Sequence, residues 1–231
     1  MAPHRAAAGI EAFGAAATSY ETWFASPLGA FVDQEEKQAL ARLLQGVGRG
    51  SVLDIGAGTG HLTAWLAEHG DRMTALEPCR AMREEGKRQT EAWSIPWCDA
   101  LAEQLPFRDA SFDGALLFTT LEFVQDPARA LHEAMRVVRR QGWVTVGFLH
   151  ALSLWAALYR YRANRGEMPW AAAQFFTRDD VERHMGRPAE QSETAIYLAP
   201  HAVAPFMEAE RAGRRAGNVP AVEMLRWRKP S

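Results

Sequence analysis

The sequence has few cysteines and no strong excess of charge of either sign. Only two cysteines, Cys79 and Cys98, occur among 231 residues, so disulfides cannot supply a framework for the fold. A cysteine content this low is typical of a reduced compartment, and we expect a cytoplasmic protein. The 26 lysines and arginines against 28 aspartates and glutamates give a net charge of −2, which supplies no general attraction for nucleic acid. We therefore expect no nucleic-acid partner.

Long apolar runs are also scarce. Residues 1–17 lack the continuous apolar core of a signal peptide. Residues 141–159 carry no formal charge, but glycine, threonine, serine and histidine interrupt this run, and its first half has the pattern of a strand. Because a spanning helix needs about 20 predominantly apolar residues, we expect a buried strand followed by an amphipathic helix, and no membrane span.

The sequence does contain a regular alternation of strand and helix patterns. We predict strands at 51–55, at 73–76, ending near 96–97, at 112–118 and at 142–149. Helices are predicted between them at 61–69, at 78–90 and from the Asp126-Pro127 pair, because proline suits the first helical turn. This alternation predicts a doubly wound α/β fold with a mainly parallel sheet and helices on both faces.

The flanking segments have weaker patterns. Two helices are predicted within residues 18–45, the second with Asp33 as its N-cap. Two more strands are expected at 193–198 and 221–227, antiparallel to each other. Residues 205–219 between them contain several arginines and glycines and predict an exposed insertion. The length of the chain favours a single domain with a small extra segment.

The most informative segment, residues 54–62, connects the first predicted strand to the helix that follows it. It reads Asp-Ile-Gly-Ala-Gly-Thr-Gly-His-Leu, with glycines at 56, 58 and 60. Glycine lets the backbone approach a ligand closely, and the following helix offers N–H groups that favour negative charge. A dinucleotide-binding loop would have a third glycine where His61 stands, and a triphosphate-binding loop would contain a lysine that this segment lacks. A tight turn without a ligand is the other alternative.

Two acidic residues follow the next two predicted strands. Glu77 comes at the end of the second strand, and Asp99 comes just after the third. A carboxylate at the first position can accept hydrogen bonds from both hydroxyls of a ribose, and one at the second can accept from an adenine amine. Because the carboxyl ends of parallel strands meet at one edge of a sheet, these acids and the glycine loop predict a nucleoside site at that edge. A solvated loop charge is the alternative for either acid taken alone.

Five stretches between residues 50 and 150 carry a resemblance to a known family. They are Val-Leu-Asp-Ile-Gly-Ala-Gly-Thr-Gly at 52–60, Asp-Ala-Leu-Ala-Glu-Gln-Leu-Pro-Phe at 99–107, Ser-Phe-Asp at 111–113, Leu-Glu-Phe-Val-Gln-Asp-Pro at 121–127 and Glu-Ala-Met-Arg-Val-Val-Arg-Arg-Gln-Gly-Trp at 133–143. Together they resemble class I S-adenosylmethionine (SAM) dependent methyltransferases of type 11, in the small-molecule branch that methylates quinone precursors. The sequence departs from that family at Gln141-Gly142, where proline-glycine is usual.

The resemblance implies a Rossmann-like fold of seven strands with an antiparallel C-terminal strand. Residues 1–48 would form an N-terminal helical lid, 49–150 the SAM-binding core, and 151–231 the substrate-side helices and last strands of a single domain. SAM would be the methyl donor and S-adenosylhomocysteine (SAH) the product. The implied cofactor-binding residues are Tyr20, Asp54, Gly56, Ala57, Gly58, Gly60, Glu77, Pro78, Asp99, Ala100 and Thr119.

The resemblance also implies a role for most members of this set. The three glycines would let the backbone approach the methionine part of SAM, Glu77 would hold the ribose, and Asp99 would bind adenine. Asp54 would orient the loop, and Thr119 would present main chain to the methionine amine. Tyr20 would close over SAM as part of the lid, with core packing as its alternative role.

The implied reaction is methyl transfer to a small-molecule acceptor by in-line displacement. Alignment of acceptor, methyl group and sulfur would lower most of the barrier, and a general base is needed only if the acceptor must lose a proton. The sequence leaves the catalytic residue open, with Glu122, His150 and Tyr20 as candidates. A protein that binds SAM or its product without turnover is the alternative on the same fold. The seven histidines show no metal-ligand spacing, so we expect no metal.

The acceptor is expected to be aromatic or apolar. Eight of the 23 aromatic residues lie within residues 143–176. Ring faces in such a cluster bind a flat acceptor, although packing against the sheet is the competing interpretation for each ring. Arg160, Arg162 and Arg165 follow in the same segment; they would hold an acidic acceptor or form a solvated helix face.

Overall fold

Seven strands form one mixed sheet in the order β3-β2-β1-β4-β5-β7-β6. The structure is a computed structural model that describes residues 5–231, apart from the side chains of residues 5, 6, 16, 18 and 19. The strands are β1 (Ser51–Ile55), β2 (Arg72–Leu76), β3 (Trp97–Cys98), β4 (Phe112–Phe118), β5 (Val138–Leu149), β6 (Gln191–Ala195) and β7 (Val222–Arg228). The first five pair in parallel, and β7 is antiparallel to both of its neighbours. The predicted Rossmann-like fold is therefore confirmed.

Eight α-helices surround the sheet within the described part of the chain. They are α1 (Arg5–Ala25), α2 (Pro27–Leu43), α3 (His61–Glu68), α4 (Arg80–Gln89), α5 (Pro127–Val137), α6 (Leu154–Asn164), α7 (Arg178–Met185) and α8 (Phe206–Arg215). Residues 1–4 of the predicted N-terminal lid lie outside the described residues. Between residues 5 and 231, the helices are all too short or too polar to cross a membrane.

The core lies on both faces of the sheet, because each central strand is buried on both sides. In β1, Leu53 and Ile55 belong to one apolar cluster, which also contains Leu131 of α5. Val52, on the opposite face, packs in a second cluster that includes Leu40 of α2. Burial on both faces explains why these strands consist of nearly continuous apolar residues.

The order of the strands fixes where a ligand can bind. The chain passes outward from β1 to β2 and β3, and it then returns to place β4 on the other side of β1. The connections diverge at the carboxyl ends of β1 and β4, which leaves a crevice between them. Ligands of doubly wound sheets bind at this switch point.

The predicted start of the second helix was wrong. Helix α2 begins at Pro27, and Ser26 is its N-cap, accepting a hydrogen bond of 3.0 Å from the amide of Gly29. Proline at the first helical position has no N–H to lose, so the Ser26-Pro27 pair is a good start. Asp33 therefore lies inside the helix and is free to make tertiary contacts.

The prediction of an exposed insertion at 205–219 is confirmed for most of its residues, but Glu210 and Gly213 are buried. This segment contains α8, and its Glu210 is only 4% exposed. The carboxylate of Glu210 accepts hydrogen bonds of 2.7 and 2.9 Å from the amides of Tyr197 and Leu198. The arginines occupy the outer side of the helix, and the buried acid fixes the loop after β6 to it.

Candidate functional site

A cavity of about 580 Å³ opens at the carboxyl ends of β1, β2, β4 and β5. Most of the predicted cofactor-binding residues line it: Tyr20, Asp54, Gly56, Ala57, Gly58, Glu77, Pro78 and Thr119. The tertiary structure therefore brings together residues that are up to about 100 positions apart in the sequence. Gly60, Asp99 and Ala100 do not belong to this lining.

The glycine loop allows the backbone to pack closely, but its first three amides do not form a binding site for an anion. A Cβ atom on Gly56, whose φ is +75°, would lie 2.3 Å from Cγ2 of Thr120, so only glycine fits there. The amides of Gly56 and Ala57 both donate to the carbonyl of Leu76, at 2.8 and 3.0 Å, and that of Gly58 donates to Glu77. These N–H groups are thus occupied within the protein, which suits a ligand without phosphate.

Glu77 is positioned by the backbone on both sides of it. Its Oε1 accepts a hydrogen bond from the amide of Cys79 at 2.8 Å, and its Oε2 accepts one from the amide of Gly58 at 2.9 Å. Burial raises the pKa of Glu77 to about 6, because desolvation outweighs these two amides. Each carboxylate oxygen has a further lone pair, so the group can still accept two hydrogen bonds from a ligand.

Asp99 lies beside the cavity lining and is tied to it by Arg83. The Asp99 side chain is 66% exposed and forms an ion pair of 2.8 Å with Arg83. The buried Arg83 also donates to the carbonyl of Glu77 at 2.6 Å, so it fixes the two loops relative to each other. Leu101 and Glu103 line the cavity on this side. The adenine contact of Asp99 stays a prediction.

Asp54 and Thr119 occupy the ends of the two strands that flank the switch point. The buried Asp54 accepts a hydrogen bond of 2.6 Å from Thr63 in α3, and burial raises the pKa of Asp54 to about 6. This bond holds the glycine loop between β1 and α3. Thr119 has a positive φ of +47°, and its amide donates to the carbonyl of Gly147 at 2.8 Å.

Helix α1 covers the cavity through Tyr20, Trp23 and Phe24. It is attached to the glycine loop, since Glu21 accepts a hydrogen bond from the hydroxyl of Thr59. The ring of Phe24 also stacks on His61 with centroids 4.2 Å apart. Burial, assisted by neighbouring carboxylates, raises the pKa of Tyr20 to about 12, so its phenol stays protonated at neutral pH.

Of the three candidate bases, only Tyr20 lines the cavity. Glu122 is fully buried behind it and accepts a hydrogen bond of 2.6 Å from the amide of Leu149; burial raises its pKa to about 7. His150 accepts a bond of 3.2 Å from the amide of Leu152, and burial lowers its pKa. Both groups hold β5 and the segment after it, which is a structural role.

The aromatic cluster at 143–176 divides between core and cavity. Trp155, Tyr159 and Trp170 line the cavity. The rings of Tyr159 and Trp170 stack with centroids 3.6 Å apart, and Trp155 lies 6.1 Å from Tyr159. In contrast, Trp143, Phe148 and Phe176 are buried in the core. Among the three arginines of this segment, Arg162 contributes to the lining.

Sequence reasoning missed the face that α2 presents to the cavity. Val32, Asp33 and Glu36 lie on one side of that helix and line the site. Asp33 is joined to Lys37 at 2.8 Å and to Nε2 of His61, also at 2.8 Å. The spacing of these positions is that of a helix face, but no pattern in the sequence indicates which face meets the cavity. Across residues 5–231, no group of three metal-ligating side chains is positioned to hold an ion.

Comparison with known proteins relates the central part of this chain to a family of known domains. Residues 53–146 match the sequence model described as "Methyltransferase domain". An uncharacterized protein of Mycobacterium tuberculosis is 33% identical over 172 residues, which cover 74% of this chain and 57% of that protein. The chain thus spans a little over half the length of that relative. A demethylmenaquinone methyltransferase of Clavibacter sepedonicus is 32% identical over 115 residues, or 49% of this chain and 47% of that one.

A solved structure agrees over nearly the whole chain. The SAM-dependent methyltransferase of Thermotoga maritima, described as a possible histamine N-methyltransferase, has a TM-score of 0.75 and 25% sequence identity. The alignment covers 95% of this chain and 99% of that one. The family match covers the glycine loop and the strands that carry Glu77 and Thr119. Residues 53–146 accordingly match a methyltransferase domain, and nearly the whole chain shares the fold of a SAM-dependent methyltransferase.

Proposed function

We propose that this protein transfers the methyl group of SAM to a small-molecule acceptor and releases SAH. The observation that carries the proposal is the continuity of the cavity. A single space connects the glycine loop and Glu77 at one end with Trp155, Tyr159 and Trp170 at the other. A donor site and an apolar acceptor chamber therefore adjoin each other at the switch point of the sheet.

The donor end fits the adenosyl and methionine parts of SAM. Gly56 has the positive φ that glycine adopts without strain, which lets the loop turn at the end of β1, and each carboxylate oxygen of Glu77 keeps a lone pair for a ribose hydroxyl. Thr119 and Asp54 line the end where the methionine part would lie. Asp99 and Ala100 would bind adenine from the edge of the cavity.

Methyl transfer from a sulfonium needs little general acid–base catalysis from the protein. When bound, SAM supplies a methyl group on a sulfonium, a good leaving group. The protein contributes alignment, because donor and acceptor are held in one narrow cavity, and it limits water through the aromatic side chains of α1 and α6. The phenol of Tyr20 can donate a hydrogen bond in this space, since its raised pKa keeps its proton.

The acceptor chamber favours a flat or partly apolar small molecule. Stacked Tyr159 and Trp170, with Trp155 beside them, present large ring surfaces. The two named relatives also have small acceptors in their descriptions, demethylmenaquinone in one and histamine in the other. A small-molecule acceptor for this chain agrees with both.

Binding and transfer can be tested separately. Calorimetric titration with SAH tests the donor site, and a parallel titration with NADH tests the dinucleotide alternative. Incubation with SAM carrying a labelled methyl group and a metabolite extract tests transfer. We expect SAH binding and a labelled small molecule. SAH binding without any labelled product would instead make the chain a SAM- or SAH-binding protein, and binding of NADH alone would refute the proposal.

A further inference from the structure

The cavity contains five acidic residues, and one of them has no partner. These are Asp33, Glu36, Asp54, Glu77 and Glu103. Asp33 pairs with Lys37 at 2.8 Å, Asp54 accepts from Thr63 at 2.6 Å, Glu77 accepts from the amides of Gly58 and Cys79, and Glu103 accepts from the amide of Gln125 at 2.7 Å. Among the side chains and amides that the structure describes, none forms a hydrogen bond or ion pair with Glu36. Its carboxyl group is therefore available to a ligand.

Lys37, the next residue of α2, forms no ion pair with Glu36. Lys37 donates to Asp33 at 2.8 Å, and its Nζ lies 2.9 Å from Nε2 of His61. These two contacts hold the ammonium group of Lys37 against Asp33 and His61. Burial, with the charge of Asp33 adding to it, consequently raises the pKa of Glu36 to about 8. A desolvated carboxylate of this kind is costly unless a positive charge pairs with it.

Aromatic rings surround the same position. Tyr20 of α1 and Tyr159 of α6 line the same cavity as Glu36, whose negative charge adds to burial in raising the pKa of both phenols. Trp170 stacks on Tyr159, and Trp155 lies beside that pair. Ring faces attract cations, and their apolar surface holds a flat organic body. The combination of one free carboxylate and several rings suits an organic ammonium group better than a metal ion, which requires several oxygen ligands.

We propose that Glu36 is a specificity-determining residue that pairs with a positively charged amine of the acceptor, while Trp155, Tyr159 and Trp170 hold the acceptor's flat apolar body. This inference rests on the proposed function, since it assigns the substrate class of the same cavity. The acceptor is thereby an arylalkylamine or a compound of similar chemistry. Glu36 binds and orients it, and the transfer itself takes place at the donor end.

The test compares three probes of similar size and different charge. 2-Phenylethylamine, 2-phenylethanol and 3-phenylpropanoate are titrated calorimetrically at pH 9 into the protein saturated with SAH, because the pKa of Glu36 is raised to about 8. The variants are Glu36→Gln and the matched control Glu35→Gln, which removes the adjacent acid outside the cavity lining. Thermal denaturation and SAH affinity show that each variant is folded.

We expect the wild-type protein and the Glu35→Gln control to bind the amine about tenfold or more tighter than the alcohol, and the propanoate most weakly. In Glu36→Gln the three affinities should fall within about threefold of one another. No amine preference in the wild type, including no measurable amine binding, would overturn the inference. So would an amine preference that survives Glu36→Gln.

The same titrations distinguish a failure of the proposed function from a failure of the assignment of Glu36. If SAH does not bind the wild-type protein, the donor site is refuted, whereas titration of the amine without SAH still tests Glu36. If SAH binds and the amine has no preference, the donor site stands and only the assignment of Glu36 is lost.

Discussion

Replacing Glu77 by glutamine separates its role in the donor site from its role in the fold. The substitution keeps the size of the side chain and removes its charge. In the native protein the carboxylate accepts from two amides, Gly58 at 2.9 Å and Cys79 at 2.8 Å. Glutamine has a single acceptor oxygen, so its NH₂ group must face one of these two N–H donors.

The effect on stability is the sum of two opposing contributions. A buried amide left without an acceptor costs about 1–3 kcal/mol. Against this, burial raises the pKa of Glu77 from 4.5 to about 6, so the ionised carboxylate costs the folded state about 2 kcal/mol at pH 7. Glutamine carries no such cost. The two contributions nearly cancel, and we expect the free energy of unfolding to change by less than about 1 kcal/mol.

The effect on donor affinity has no compensating contribution. The ribose loses charge-assisted hydrogen bonds, each of which contributes about 1.5–3 kcal/mol. We therefore expect SAH to bind about 10- to 150-fold more weakly. The assay is calorimetric titration at pH 8, where the wild-type carboxylate is ionised, together with urea denaturation. Glu84→Gln is the control, because Glu84 has the same charge on the exposed face of α4 and pairs only with Lys87.

An SAH affinity within twofold of the wild type would refute the assignment of Glu77 to the donor site. An equal loss in Glu84→Gln would show that net charge, and not the position of the carboxylate, governs binding. A stability loss well above about 1 kcal/mol would show that the variant reorganises the glycine loop, and the affinity would then report on folding.

Three further substitutions test other parts of the structure. Gly56→Ala would place a Cβ 2.3 Å from Cγ2 of Thr120 at a φ of +75°, so we expect a stability loss of about 1–3 kcal/mol in urea and the loss of SAH binding in calorimetry; normal binding would contradict the geometry of the loop. Glu210→Ala removes the acceptor of two buried amides, and we expect denaturation to show a loss of about 2–4 kcal/mol with SAH affinity unchanged. The effect of Glu36→Gln on the free energy of unfolding depends on pH. Burial raises the pKa of Glu36 from 4.5 to about 8, so the wild type loses stability as the pH rises through this range, whereas the variant does not. Free energies of unfolding in urea, measured from pH 5 to 9, should diverge in favour of the variant by at most about 4 kcal/mol near pH 8, and parallel curves would show that water solvates the carboxylate.

The elements that the sequence predicted well are those with strong local signals. The apolar run at 112–118 is bounded by polar residues, and β4 has these limits. Asp126 caps α5 by accepting from the amide of Arg129 at 3.0 Å, as the Asp126-Pro127 pair indicates. The start of α2 was wrong because both Ser26 and Asp33 are good caps by residue type. Ser26 is used because it precedes a proline, which leaves Asp33 to bind Lys37 and His61.

By itself, the sequence determined the doubly wound fold and which residues lie at the glycine-loop end of the cavity, where we propose that the donor binds. Both depend on short spacings: strands alternate with helices, and the glycines and Glu77 follow the strands directly, so covalent geometry places them at one edge of the sheet. Only the tertiary structure decided which aromatic rings are core and which face the cavity, and that α1 reaches the glycine loop through Glu21 and Thr59. It also decided that Glu36 lines the cavity with no partner among the side chains and amides that the structure describes. These features join residues far apart in the chain, and they depend on which face of each helix packs inward, a choice that the whole core makes together.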